Sequence, residues 1–551
     1  MSWRLSLVIS FLVLAVLGLI SRLVYLSVFD RAFLLRQSKA RILRNVTIPT
    51  YRGIITDRLG SPLAVSTPVS SIWINPKTFA PNQQQLQQLA KILGIPSNTL
   101  RDYAKKKANR EFAYLKRATR PVIANRVKDL NIPGLYFQRE YRRYYPEGSV
   151  TAHVVGFTNI DDQGQEGIEL LLERWLHGQS GQKQVLKDRL GNIITELQRL
   201  KEPVEGKDLQ LSIDHRIQYA AYQRLKEAVD QYKADAASAV VLDVETGEIL
   251  AMVNQPSYNP NDRSQKEANQ FRNRAVTDVF EPGSVIKPFT VALALESGRY
   301  RPDTKIDTDS GWMSIGGYRI HDELNYGVVT VTELLQKSSN IAAAKILLSL
   351  QPKRYWQLLS ALGFGMRTDS GFPGEADGRI SPRETWVPSV IATLAFGYGL
   401  SVTPLQLAQA YAVIASGGIK RPVTFLKTEP SQVTGKQIIP FKVARAVTTM
   451  LQAVVEHGTG TRARVSGYEV AGKTGTAYIA EAHGYDHKRH MSTFAGFAPV
   501  KNPKVVVVVV IKNPHGAYLG GIVAAPVFSE IMASTLRILD VPPSFPYSAS
   551  R

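Results

Sequence analysis

The sequence predicts a single N-terminal transmembrane helix, then a mixed α+β region, then a larger α/β or α+β domain whose sheet draws strands from both ends of its segment. Three observations carry this. An almost unbroken apolar run fills the N-terminus. A strand pair near residue 240 and six consecutive valines from Val505 flank a long helical stretch. Polar, break-rich sequence separates the apolar run from the first of those strands.

Leu5 to Ile20 is nearly all apolar, and after Ser21-Arg22 the run resumes from Leu23 to Phe29. Together they match the roughly 20 residues needed to span a bilayer, with Arg22 able to snorkel to an interface. No small-x-small cleavage site follows, which favours an uncleaved anchor over 5–29 behind a cytoplasmic stub, 1–4. Only Arg4 precedes the anchor, whereas Arg22, Arg31, Arg36, Lys39, Arg41 and Arg44 lie in its last part or follow it. Counted alone, these charges place the body in the cytoplasm.

From Val46 the chain turns globular. Arg52-Gly53-Ile54-Ile55-Thr56-Asp57-Arg58-Leu59-Gly60 reads as a short strand and turn, and Gln83–Leu93 and Ser97–Asn109 as amphipathic helices. Tyr144–Gly148 and Asp161–Gly164 are turns. A strand at Leu209–Asp214 and a helix at Ile217–Tyr232 mark a boundary, giving regions 45–215 and 216–540 and a tail, 541–551. In the second region Ala239–Asp243 and Glu248–Val253 flank Glu245-Thr246-Gly247 as a hairpin. Val285 to about Ser416 is mostly helical, and strands follow at Gly472–Ile479, Thr493–Ala498 and Val505–Ile511. The valine run is β-branched and apolar throughout, which predicts a central strand buried on both faces. Pro526–Leu539 reads as a terminal helix.

The chain has no cysteine, which excludes disulfides, thiolate metal sites and a cysteine nucleophile. Its 67 Lys and Arg against 46 Asp and Glu give a net charge of +21, suited to a polyanionic partner such as nucleic acid, anionic lipid or a bacterial cell wall. Zinc-finger spacing, an RNA-binding aromatic pattern and an isolated basic helix are all missing from the sequence, which argues against nucleic acid.

Glu281-Pro282-Gly283-Ser284-Val285-Ile286-Lys287-Pro288 sets a serine three residues before a lysine at the start of an apolar helix. On a helix those residues share a face, so an amine can take the serine proton and generate a nucleophile without histidine. Pro288 lacks an N–H, so the first turn is expected to be distorted or 3₁₀. A chain of this length contains about two S-x-x-K matches by composition. The other, Ser180-Gly181-Gln182-Lys183, has no helix behind it. Ser338-Ser339-Asn340 supplies a hydroxyl and an amide at a junction between helical segments. It reads equally as a helix cap. Lys473-Thr474-Gly475-Thr476 offers a cation and two hydroxyls on a predicted strand, beside a glycine that allows close backbone approach.

The order and separation of these three motifs are those of penicillin-binding proteins and serine β-lactamases. Over its whole length the chain resembles the class B high-molecular-weight penicillin-binding proteins, in particular their division-specific branch. Arg52-Gly53, Asp57–Gly60, Arg143–Gly148, Gly164–Glu169, Gly397–Leu400 with Thr403-Pro404, Phe494–Pro499 and Ala524–Phe528 carry the resemblance beyond the motifs. It implies an α+β pedestal over 45–215 and, over 216–540, a transpeptidase domain whose antiparallel sheet is flanked by helices. It implies D-Ala-D-Ala transpeptidation with Ser284 as nucleophile, Lys287 as base, Ser338 as proton shuttle and Asn340 as orienter. Lys473, Thr474, Gly475 and Thr476 are implied to bind the substrate, with the Ser284 and Thr476 N–H groups as oxyanion hole. No cofactor or metal is implied. The implied partners are peptidoglycan stem peptides, β-lactams, the membrane, a lipid-II-polymerising glycosyltransferase and other division proteins. The implied location is the inner membrane at the septum, body in the periplasm; long domains cross regardless of the charge count.

Rival readings remain. Gly467–Thr474 matches G-x-x-x-x-G-K-T, but a phosphate loop needs a helix after it, and Gly475–Ile479 reads as strand. His483, His487 and His490 have metal-ligand spacing, but Gly484 and charged neighbours argue for a mobile loop. An elongation-type transpeptidase, an anchored β-lactamase-like hydrolase and a non-catalytic division scaffold share parts of the pattern.

Overall fold

The computed structural model describes residues 3–33, 43–187, 193–262, 264, 267–382, 384, 386–481 and 484–545. The N-terminal run forms an α-helix, Trp3–Val24, continued by a π-helical turn, Tyr25–Phe29. At 27 residues, with none of its apolar window buried, it is long and apolar enough to cross a bilayer.

The chain divides into two compact units, the first comprising Met1–Gly53, Ser66–Arg142 and His177–Lys207. Within it Gly181–Lys187 pairs antiparallel with both Leu43–Ile48 and Ile193–Lys201. Helices Gln83–Leu93 and Ser97–Lys106 bury Leu86, Leu89, Leu93 and Leu100 with Ile72 and Val127. The second S-x-x-K pattern therefore lies on extended chain, where residues three apart face opposite ways. Lys183 there pairs with Glu196 at 2.7 Å.

The second unit comprises Ile54–Val65, Arg143–Leu176 and Asp208–Arg551. At its centre stands a five-stranded antiparallel sheet of β1 (Ala236–Asp243), β2 (Ile249–Gln255), β3 (Ala471–Glu481), β4 (Gly484–Ala498) and β5 (Val505–Lys512). The order is β2-β1-β5-β4-β3. The valine strand is central, as its composition predicts. Val506, Val508 and Val510 join the core beneath the inserted helices, while Val505, Val507 and Val509 join a second core beneath the terminal ones. A buried aliphatic side chain stabilises by about 1.5–3 kcal/mol, so a strand apolar at every position is what a sheet covered on both faces requires. The inserted helices include α2 (Lys287–Glu296), α3 (Val331–Lys337), α4 (Asn340–Ser349), α5 (Pro404–Ala415) and α6 (Phe441–His457). The terminal pair is α1 (His215–Tyr232) and α7 (Gly520–Ile538).

Three expectations change. α7 starts at Gly520, six residues before Pro526, which lies inside it. Proline has no N–H to return to the Ile522 carbonyl, and the Tyr232 hydroxyl donates to that carbonyl instead, at 3.4 Å. The loop expected around His487 and His490 is strand, because β3 and β4 extend into a long hairpin; His483 lies outside the described residues. The helical stretch after Val285 is interrupted by a hairpin, Trp312–Ile315 with Tyr318–His321, turning on Gly316-Gly317.

Two of the family-like segments meet in a buried ion pair. Arg143 Nε donates to Glu169 Oε1 at 2.6 Å, with both side chains fully buried. Removing one partner of a buried ion pair costs about 3–5 kcal/mol. Glu169→Ala is expected to lower the thermal unfolding midpoint of the detergent-solubilised chain by several degrees; an unchanged midpoint would show that the pair contributes nothing.

Candidate active site

The nucleophile motif enters the site through Pro282 and Gly283. Gly283 has φ +58°, and Gly283–Ile286 forms one 3₁₀ turn that leads into α2 at Lys287. Lys287 N donates to the Ser284 carbonyl, the bond Pro288 cannot make. In a 3₁₀ turn side chains three apart eclipse, so Ser284 and Lys287 leave the turn on one side. Ser284 is partly exposed and Lys287 fully buried. Tyr411 from α5 donates to the Val285 carbonyl at 2.8 Å and holds the turn from beneath.

Among the described residues no hydrogen bond joins Ser284 Oγ to Lys287 Nζ. Lys287 Nζ instead donates to the Ser338 carbonyl and to Asn340 Oδ1 at 2.8 Å, and lies 3.2 Å from Ser338 Oγ. Ser338 ends α3 in the left-handed region, φ +61°, its N–H donating to the Leu334 carbonyl. Ser339 caps α4, its hydroxyl accepting from Ala342 N at 3.0 Å.

Asp322, which sequence reasoning missed, anchors this junction. It accepts from the Ser339 hydroxyl at 2.6 Å and from the N–H groups of Asn340 and Ile341. The neighbouring His321 carbonyl accepts from Asn340 Nδ2 at 2.9 Å. Both sit at the end of the Trp312–His321 hairpin, and its Gly-Gly turn was the available sequence signal.

Lys473 lies within β3, an edge strand, so the phosphate-loop pattern has strand where a helix is required. Its Nζ donates to Ser338 Oγ at 3.0 Å and lies 3.3 Å from Thr474 Oγ1. Thr459, also missed, lies 2.8 Å from Thr474 Oγ1. Thr476 Oγ1 accepts from Gly520 N at 3.0 Å. Gly475 lets the strand close on the nucleophile turn: a Cβ there would stand 2.9 Å from both the Pro282 carbonyl oxygen and Val285 Cγ1.

The structure thus brings the Ser284 turn, the Ser338–Asn340 junction and the Lys473–Thr476 strand together, with both lysines converging on one hydroxyl oxygen. Burial lowers the pKa of both. Lys287 is held well below the ordinary lysine range by burial first and by the Lys473 charge second, with Asp322 opposing. Burial brings Lys473 down to about 7.

The histidines of the β3–β4 hairpin make ring contacts: His490 stacks on Tyr518 with centroids 4.2 Å apart, and Tyr478 packs against His487 at 4.7 Å. Asp57, Asp214 and His215 have donor atoms within 4.8 Å of one another. They form a hydrogen-bonded turn, with Asp57 Oδ1 accepting from Leu59 N and Ser61 N, and Oδ2 bonded to His215 Nδ1 at 2.6 Å.

Residues 237–533 match the penicillin-binding protein transpeptidase domain, and residues 47–211 the penicillin-binding protein dimerisation domain. A probable peptidoglycan D,D-transpeptidase (PbpC) of Pseudomonas aeruginosa is 43% identical over 544 residues, spanning 98% of this chain and 96% of the relative. The peptidoglycan D,D-transpeptidase FtsI of Escherichia coli is 41% identical over 549 residues, spanning 98% and 93%. The solved structure of penicillin-binding protein 3 from Mycobacterium tuberculosis in complex with aztreonam aligns with a TM-score of 0.70 at 29% identity, covering 91% of this chain and 99% of that one. With two domain matches in sequence order and full-length relatives at this identity, the chain belongs to the class B penicillin-binding proteins, peptidoglycan D,D-transpeptidases built from a dimerisation domain and a transpeptidase domain.

Proposed function

We propose that this chain cross-links peptidoglycan stem peptides at the division septum through an acyl-enzyme on Ser284. The observation that carries the site assignment is the convergence of two buried lysines on Ser338 Oγ beneath the Ser284 turn. A neutral Lys287 has two N–H groups, matching the Ser338 carbonyl and Asn340 Oδ1. Its lone pair is then free to take a hydroxyl proton.

Ser284 Oγ attacks the penultimate D-Ala carbonyl as its proton passes to Lys287. The oxyanion is met by the Ser284 N–H, one of the first donors of the turn, and by the Thr476 N–H on the edge strand. The tetrahedral adduct collapses, and the leaving amine takes a proton relayed from Lys287 through Ser338, releasing D-Ala. The amine of a second stem peptide then attacks the ester, its proton returns by the same route, and Ser284 regains its hydrogen. Lys473, protonated, holds the substrate carboxylate with Thr474 and Thr476. Asn340 orients Lys287 and the substrate amide. β-Lactams, which mimic the dipeptide, acylate Ser284 without a leaving group that departs.

The apolar N-terminal helix is the single-pass inner-membrane anchor, and the body lies in the periplasm. A lipid-II-polymerising glycosyltransferase and other division proteins are the partners of this reading. No step calls on a metal or cofactor.

Ser284→Ala is expected to abolish covalent labelling by fluorescent penicillin with the unfolding midpoint unchanged; persistent labelling would overturn the assignment. A wild-type penicillin adduct lasting many minutes separates a transpeptidase from a hydrolase, which would turn it over.

The pH dependence follows from the two lysines. Neutral Lys287 is required, so acylation rises as pH climbs through its lowered pKa. Protonated Lys473 is required for the carboxylate, so the second-order rate declines as pH passes about 7. A bell-shaped profile in stopped-flow acylation is expected; a rate still climbing at about pH 9 would refute the division of roles.

Asp322→Ala frees the Ser338–Asn340 junction from a carboxylate that takes three hydrogen bonds. Acylation is expected to slow by about 10–100-fold, the scale of charge-assisted hydrogen bonds, measured against a folded control spectrum.

A further inference from the structure

The segment Glu281–Lys287 places a carboxylate three residues ahead of the nucleophile, and the mechanism above gives it nothing to do. The Gly397-Tyr398-Gly399 segment and the tip of the β3–β4 hairpin are likewise without a role. The three meet at Glu281.

Glu281 Oε1 accepts from Gly399 N at 2.8 Å and from the Tyr485 hydroxyl at 3.1 Å. The backbones meet beside it: Gly283 N donates to the Gly397 carbonyl at 3.2 Å. Gly397 has φ +93°, and a Cβ there would stand 2.1 Å from the Gly283 carbonyl oxygen. Tyr398 packs edge-on against Tyr485 with centroids 5.4 Å apart, and its hydroxyl accepts from Tyr478 N at 3.4 Å. Tyr478 lies on β3, two residues past Thr476. The contacts close a loop, from the Ser284 turn through Glu281 to the Gly397–Gly399 turn, on to the hairpin, and back along β3 to the substrate-binding residues.

We infer that Glu281 is a positioning residue. Its carboxylate clamps the Ser284 turn to the Gly397–Gly399 turn and to the hairpin tip, and so sets the gap between Ser284 and the β3 edge. That gap must fit one peptide, and a misplacement of about 1 Å can cost on the order of 10²-fold in rate.

The clamp also has a charge state. Glu281 Oε2 is buried and has no hydrogen-bond partner among the described residues. Burial raises the carboxyl pKa, partly opposed by the Gly399 and Tyr485 bonds. Tyr398 and Tyr485 face it on the hairpin side. On the other side it lines a cavity of about 330 Å³ with Arg274, Asp278 and Lys512, where Arg274 Nη1 pairs with Asp278 at 3.0 Å. Bonds to an ionised acceptor are roughly twice as strong as neutral ones, so protonation loosens the clamp, and acylation falls as pH drops through the raised pKa.

The inference rests on Ser284 being the acylated residue, and Ser284→Ala tests that separately. Stopped-flow acylation of the full chain by fluorescent penicillin tests the clamp. Glu281→Ala is expected to slow acylation about 10–100-fold. Tyr485→Phe is expected to slow it by about threefold to tenfold, the scale of one hydrogen bond. The double variant Glu281→Ala/Tyr485→Phe is expected to be no slower than Glu281→Ala alone, because Tyr485 acts through the carboxylate. Glu281→Gln, which keeps an acceptor oxygen, is expected to recover most of the rate and to lose the Glu281 step on the acid limb, leaving that of Lys287. Multiplicative losses in the double variant, a wild-type rate for Glu281→Ala, or an unaltered acid limb in Glu281→Gln would each overturn the clamp. Tyr485 is partly exposed on a strand, so its variant reports even if Glu281→Ala folds poorly.

Discussion

The site depends on one constraint: two lysine amines are buried around a single serine oxygen. Lys287 and Lys473 are both fully buried, and their Nζ atoms lie 3.2 and 3.0 Å from Ser338 Oγ. Two like charges repel far more strongly in a poorly solvated site than in water, and the Lys473 charge lowers the pKa of Lys287. Desolvation adds to this at each amine. Both effects disfavour the doubly protonated pair. Lys287 bears both penalties, and its bonds to the Ser338 carbonyl and Asn340 are ones a neutral amine can make. In the proposed mechanism the same arrangement gives Lys287 a lone pair and leaves Lys473 to meet the substrate carboxylate.

The fold serves that constraint by bringing distant segments within backbone contact. β3 is an edge strand with unpaired outer groups, normally a liability. Here the Ser284 turn packs over Gly475 of that strand, and the start of α7 approaches Gly475 and Thr493. The approach leaves no room for side chains: a Cβ on Gly520 would stand 2.2 Å from the Gly475 carbonyl oxygen. Rigidity at the middle of the sheet comes from β5, which packs into both cores at once. A site lying on one face of such a sheet cannot relax by bending the sheet away.

The parts of this architecture with a local signature were legible in the sequence. Six valines can only be a strand covered on both faces, and Pro288 requires a departure from α-helix after Ser284. The motif residues were found because each uses a side-chain type that chemistry needs. What stayed hidden acts across long sequence distances. Asp322 looks like any turn aspartate until α4 folds onto it, and Thr459 matters only because Thr474 stands 2.8 Å away. The start of α7 was misread because proline is a local stop signal, and the Tyr232 hydroxyl at Ile522 comes from a helix 290 residues earlier. The extension of β3 and β4 was hidden for the opposite reason: charged, glycine-containing sequence reads as loop, and strand pairing with a partner overrides that propensity.

Ser338 shows how local strain and chemistry are joined. A serine with φ +61° costs on the order of 1–2 kcal/mol relative to its ordinary conformations, and glycine would take the position without that cost. Glycine would supply no hydroxyl between the lysines. The left-handed turn ends α3 with an N–H bond to the Leu334 carbonyl, and with the turn so placed the Ser338 carbonyl accepts from Lys287. One residue thus meets Lys287 with its backbone oxygen and stands between Lys287 and Lys473 with its side-chain oxygen. The strain is held by the Asp322 anchor on the next two residues, Ser339 and Asn340, so a residue at the end of the Trp312–His321 hairpin fixes the geometry around the two lysines.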